Sequence, residues 1–126
     1  MAIFESGEMY METILLLSKK MNTVRAIDVG NEMGFSKPSV SRGLKHLKEE
    51  GMILVDSNGY ITFTEEGRKR AEKVYDRHTY ITKAFKILGV DDENAENDAC
   101  KIEHIISDET FDVIKKKVIE YENGHK

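Results

Sequence analysis

The chain has 126 residues with one cysteine, one proline, no tryptophan and no apolar run longer than four residues. A lone cysteine cannot close an internal disulfide, so the core alone must hold the fold, and a reducing, cytoplasmic setting is expected. Runs this short fall well below the roughly 18 apolar residues that mark a membrane span. Met1 to Glu8 carries acids and lacks the basic region of an export signal. No membrane partner is expected. Also missing are a phosphate-binding glycine loop, a nucleophile elbow, a redox cysteine pair and any internal repeat, so the chain is read as a non-enzyme. A net charge of −4 argues against a general polyanion binder.

That average conceals a segregation of sign. Lys37 to Lys48 holds Lys37, Arg42, Lys45, His46 and Lys48 with no acid, whereas Asp91 to Asp112 holds nine acids and only Lys101. One half suits phosphate and the other suits cations. Within the acidic half, Cys100, Glu103 and His104 stand at i, i+3 and i+4, so a helix would project a thiolate, a carboxylate and an imidazole from one face. All three are donors to first-row divalent metals, and three ligands from one segment leave positions for groups brought from elsewhere. Asp91 or Asp92 as N-cap, followed by the apolar stripe Ala95, Ala99, Ile102 and Ile106, predicts that helix.

Before it, Ser6 is expected to cap a helix running to about Lys20, with Tyr10, Ile14 and Leu17 inward and with Met9 and Glu12 three apart on an adjoining face, either as candidate metal donors or as core filler and a solvated acid. Thr23 is expected to cap a short second helix through Val29 and Met33, ended by Gly34. Ser36 caps a third, with Pro38 in its first turn, Val40, Leu44 and Leu47 inward, and Gly51 at its stop. Two short helices joined at a glycine turn make a helix-turn-helix. Its outer face carries Ser39, Arg42, Lys45 and His46, with small Ser41 and Gly43 permitting close approach to a backbone. Pro38 and Ser39 are placed to touch base edges, and Arg25, Ser36, Ser41 and Lys45 to hold phosphates.

Two β-rich runs, Met52 to Val55 and Tyr60 to Phe63, flank Ser57-Asn58-Gly59 and predict a hairpin wing whose tip lacks a basic residue. Thr64 then starts a long helix with the stripe Val74, His78, Ile81, Phe85 and Leu88, so His78 lies on the apolar stripe itself. Ser107 starts a last helix with Phe111, Ile114 and Val118 inward. The expected fold is mainly α with a small β-hairpin. A winged helix-turn-helix DNA-binding domain over 1–74 precedes a helical metal-binding and dimerisation domain over 75–126. The second lobe is too small to bury its stripes alone, which favours a homodimer.

In chain order, Glu8-Met9-Tyr10 with Glu12, Ser36-Lys37-Pro38-Ser39-Val40-Ser41, Thr64-Glu65-Glu66-Gly67, Arg77-His78, Leu88-Gly89-Val90-Asp91, and Asp98-Ala99-Cys100-Lys101-Ile102-Glu103-His104 with Ser107 resemble the iron- and manganese-dependent repressors of the diphtheria toxin repressor type. The resemblance implies a homodimeric repressor that binds a palindromic double-stranded DNA operator when divalent metal is plentiful. It implies Met9, Cys100, Glu103 and His104 as the main metal-binding positions, His78 as a ligand of a second site, and Arg42 as a base-reading residue. Glu12 matches a carboxylate ligand of the manganese-responsive branch. Thr82 and Glu96 stand where the iron branch has a second-site Glu and His, and Glu96 is kept as a further candidate ligand. The chain also ends without the family's C-terminal SH3-like domain, as the short manganese-responsive members do. The soft donors Met9 and Cys100 tilt the expectation toward Fe2+, with Mn2+ as the alternative. The competing expectation is a metal-independent winged-helix regulator that senses oxidants or a small ligand through Cys100.

Overall fold

A computed structural model describes residues 5–124. The element order is α1 (Glu5–Lys20), α2 (Ala26–Met33), α3 (Lys37–Glu49), β1 (Ile53–Val55), β2 (Ile61–Phe63), α4 (Glu65–Ile87), α5 (Asp92–Ile102) and α6 (Asp108–Gly124). Two compact units divide the chain, one ending at Lys73 and the other beginning at Val74, so that α4 contributes its first turns to one and its later turns to the other. Among the described residues, no helix is long and apolar enough to cross a membrane.

In the first unit α1 packs on α2 and α3. Tyr10, Ile14 and Leu17 are buried as their spacing predicts, and Met11 and Leu15 are buried with them, so the apolar stripe is wider than the period alone suggests. Ser6 lies inside α1, which already includes Glu5, and so is not its cap. Nor does Thr23 cap α2. That position is taken by Arg25, whose backbone N–H donates to the Asp28 carboxylate at 2.9 Å, because an acid three residues on serves the helix start better than a more distant hydroxyl. Ser36 does cap α3: its hydroxyl accepts the Ser39 N–H at 3.4 Å, Pro38 sits in the first turn, and Val40, Leu44 and Leu47 are buried. The chain leaves α2, α3 and α4 through Gly34, Gly51 and Gly89, all at positive φ.

The strands pair antiparallel with Ile53 opposite Phe63 and Val55 opposite Ile61. Asp56 closes the turn, its carboxylate accepting from the backbone of Asn58 and of Tyr60, each at 2.9 Å. The Ile61 N–H also donates to the Val24 carbonyl at 2.8 Å, which ties the hairpin to the segment before α2. Thr64 caps α4 by accepting the Gly67 N–H at 3.0 Å while its hydroxyl donates to the Gly51 carbonyl at 2.6 Å.

The second unit has its core at Ile81, Ala99 and Phe111, with Tyr80, Phe85, Ile102 and Ile106 packed around it. Asp91, not Asp92, caps α5, accepting the Asn94 N–H at 3.1 Å. These hydrogen bonds hold the Asp91 carboxyl below its ordinary range, Asn94 being the principal cause. Ser107 caps α6 by accepting the Thr110 N–H at 3.1 Å, and Phe111 and Val118 point inward. The α4 stripe stops short of its expected end: Leu88 lies beyond the helix and is 77 % exposed.

Candidate metal centre

Cys100 stands on the last turn of α5, but the helix ends at Ile102, so Glu103 is its C-cap and His104 lies in the turn that follows. The expected single helical face is therefore a helix end. The convergence survives because Glu103 keeps helical dihedrals, φ −57° and ψ −24°, with its N–H on the Ala99 carbonyl at 2.9 Å. One donor atom each from Cys100, Glu103 and His104 lies within 4.8 Å of the others.

Glu103 decides what this cluster can do. Its side chain has no exposed surface, and neither carboxylate oxygen accepts a hydrogen bond. His104 Nε2 stands 3.7 Å from one oxygen, and His78 Nδ1, from α4, stands 3.4 Å from the other. The His104 side chain is enclosed too, at 1 % exposure. A buried carboxylate without donors costs several kcal/mol unless a cation compensates it. Thiolate, carboxylate and imidazole around one point are a donor set for a first-row divalent ion, so the residues fit a metal. Cys100 is a free, half-buried thiol. Glu96 is the outermost candidate, with its carboxylate 65 % exposed and 3.9 Å from His78 Nε2. Thr82 is buried, and its hydroxyl finds no partner. On α1, Glu12 is buried and Met9 half-buried.

Pattern reading missed the role of Arg77. The side chain is buried and donates to the carbonyls of Glu103 at 3.1 Å and Ile106 at 2.7 Å, and it pairs with the Asp108 carboxylate. It thereby fastens the turn that presents Glu103 and His104 to the start of α6. An arginine on the inward face of a helix beside a histidine is the signal that points to it, since a guanidinium is seldom buried without fixed acceptors.

At the other candidate site, Pro38, Ser41, Arg42 and Lys45 are exposed on α3 and Ser39 is half-buried. Arg42 Nη2 donates to the Ser39 hydroxyl at 3.4 Å, and the Ser36 hydroxyl donates to the same oxygen at 3.0 Å. Arg25 is exposed, with its guanidinium 4.7 Å above the Tyr60 ring. Two expectations for this face fail. His46 is half-buried with Nε2 enclosed, and Gly43 faces α1, where an added Cβ would lie 2.5 Å from the Tyr10 ring. Both positions belong to the flank of α3 that meets the core.

Residues 2–61 match the N-terminal DNA-binding domain of the iron dependent repressors, and residues 64–122 match the metal-binding and dimerisation domain of the same proteins. The chain belongs to the iron dependent repressor family. Family relatives include the transcriptional regulator MntR of Escherichia coli O157:H7, 33 % identical over 106 residues that cover 84 % of this chain and 68 % of that one. An uncharacterized helix-turn-helix transcriptional regulator of Methanocaldococcus jannaschii is 32 % identical over 114 residues, covering 88 % of this chain and 90 % of its own length. The fold is also that of a manganese-dependent transcriptional repressor solved in complex with manganese, at a TM-score of 0.78 and 24 % identity over 89 % of this chain. The present chain spans about half of that repressor's length, 53 %. Membership in a metal-dependent family does not favour the metal-independent reading of Cys100.

Proposed function

We propose that this protein is a metal-dependent transcriptional repressor, without enzymatic activity, that binds a palindromic operator as a homodimer when Fe2+ is bound, with Mn2+ a weaker substitute. The observation that carries the reading is the Glu103 carboxylate, enclosed and without a hydrogen-bond donor, with Cys100 and His104 as its neighbours. Cys100, Glu103 and His104 would hold the ion, His78 and Glu96 would serve a second position, and the resemblance adds Met9 and Glu12 of α1. When bound, the ion supplies the positive charge that this acidic cluster lacks. Met9 and Glu12 would make the first helix of the DNA-binding unit sensitive to metal. Arg42, Pro38 and Ser39 would read base edges, while Arg25, Ser36, Ser41 and Lys45 would hold phosphates. The hairpin tip, Asp56 to Gly59, offers no cation and adds little to DNA affinity.

Iron is preferred on donor softness. The thioether of Met9 and the thiolate of Cys100 disfavour manganese, whereas Glu12 and Glu103 suit either ion. The test is operator binding under anaerobic conditions, with a duplex recovered from random sequence by the metal-loaded protein. Affinity should rise about 5- to 150-fold with ferrous ion and fall back on chelation. Equal affinity in excess chelator would refute the proposal. The double variant Met9→Asp with Cys100→Glu should shift the midpoint ratio toward manganese, and an unmoved ratio would show that these two donors do not set metal choice.

A further inference from the structure

On α1 the two candidate ligands Met9 and Glu12 bracket Tyr10, a residue neither ligand chemistry nor DNA contact requires. Its side chain is buried at 5 % exposure, and its hydroxyl donates to the Ser39 carbonyl of α3 at 3.2 Å. In an α-helix that carbonyl also receives the N–H four residues on, which here belongs to Gly43. Gly43 is where the Tyr10 ring closes on the helix: an added Cβ would stand 2.5 Å from Cε2 and 2.6 Å from Cζ. The tyrosine therefore grips the single turn Ser39–Gly43, hydroxyl at one end and ring at the other. That turn presents Arg42, whose guanidinium reaches back to the Ser39 hydroxyl at 3.4 Å. Phe35, in the turn before α3, meets the same ring edge-on with centroids 5.9 Å apart and planes at 71°.

From this geometry we infer that Tyr10 is the positioning residue that transmits the state of the metal-binding helix α1 to the base-reading turn of α3. The inference rests on the proposed function. A displacement of α1 cannot leave the Ser39–Gly43 turn in place, because the ring fills the space that a side chain at Gly43 would take and the hydroxyl fixes its tip. Close packing makes such a contact a lever. Tyr10 neither binds the ion nor touches DNA in this role; it sets the coupling between the two.

The test uses the full chain with manganous ion and the selected operator duplex, and compares the wild type with Tyr10→Phe and Gly43→Ala. Tyr10→Phe keeps the ring and removes the hydrogen bond; Gly43→Ala keeps the hydroxyl and displaces the ring. Three quantities are measured: ion affinity without DNA, DNA affinity without ion, and the factor by which the ion raises DNA affinity. In Tyr10→Phe the first two should stay within about twofold of wild type while the factor drops about threefold to tenfold, the range one hydrogen bond commands. Gly43→Ala should lower the factor as well, and the double variant should lose little more than the stronger single one, since both act on one contact. A factor unchanged in Tyr10→Phe overturns the inference, as does a loss of ion affinity that accounts for the whole change. A wild type whose DNA affinity ignores both manganous ion and, anaerobically, ferrous ion sinks the proposed function itself. A responsive wild type with an equally responsive Tyr10→Phe sinks this inference alone.

Discussion

Glu103 and Arg77 are two buried charges joined by one hydrogen bond, the Arg77 guanidinium donating to the Glu103 carbonyl at 3.1 Å, and they call for opposite expectations. Glu103 is enclosed with no donor on either oxygen, so its charge opposes folding of the metal-free chain. Replacing it as Glu103→Gln should therefore raise the metal-free urea midpoint while weakening ion binding at least tenfold, which is about 1.4 kcal/mol. A lower midpoint would mean that the neighbouring histidines already hold the carboxylate. Arg77 has most of its guanidinium engaged, by two carbonyls and the Asp108 carboxylate, with only Nε enclosed and unpartnered. Arg77→Lys, which keeps the charge but loses the fork, should cost roughly 2–3 kcal/mol and increase amide exchange across Ile105 and Ile106. Wild-type exchange in that variant would show that the turn holds without it. The spacing of Cys100, Glu103 and His104 is enough to bring the three together from sequence alone. Arg77 is legible only afterwards, because its acceptors are main-chain carbonyls that no sequence pattern displays.

Elements were legible where capping and periodicity agree. Ser36 with Pro38, Thr64 with its acidic first turn, and Ser107 all cap the helices their spacing predicts. The reading failed where a backbone group found a nearer partner. Arg25 displaces Thr23 because Asp28 reaches back to its N–H. The helix carrying Cys100 ends earlier than its stripe because Glu103 and His104 enter the turn secured to α6. Gly43 misled in another way, since a small residue beside a basic face suits DNA approach and aromatic packing equally, and only tertiary structure shows the Tyr10 ring there. Close approach also governs the start of α4, where a Cβ at Gly67 would lie 1.8 Å from the Met52 carbonyl oxygen. Gly67→Ala must push α4 off the hairpin base, at a cost of about 1–3 kcal/mol in stability that lowers the denaturation midpoint. A neutral substitution would mean that α4 and the hairpin separate freely.

For the whole molecule, the second unit leaves an apolar face uncovered. Leu88 is 77 % exposed and Val113 60 %, and with Ile87, Ile114, Val118 and Tyr121 they line a groove of about 560 Å³ on α4 and α6. A dimerisation domain accounts for such a face, and Val113→Asp should yield a monomer in sedimentation with a matching loss of operator affinity. A dimer that persists would place the interface elsewhere. Control of DNA binding by an ion on the Glu103 cluster is a linkage, and linkage is reciprocal. Titrating the protein anaerobically with ferrous ion, in the absence and then in the presence of saturating operator duplex, tests it most directly. Operator should raise ion affinity by the same factor by which the ion raises operator affinity, and Glu103→Gln should abolish both effects at the ion concentration that saturates the wild type. An ion affinity indifferent to operator would contradict it.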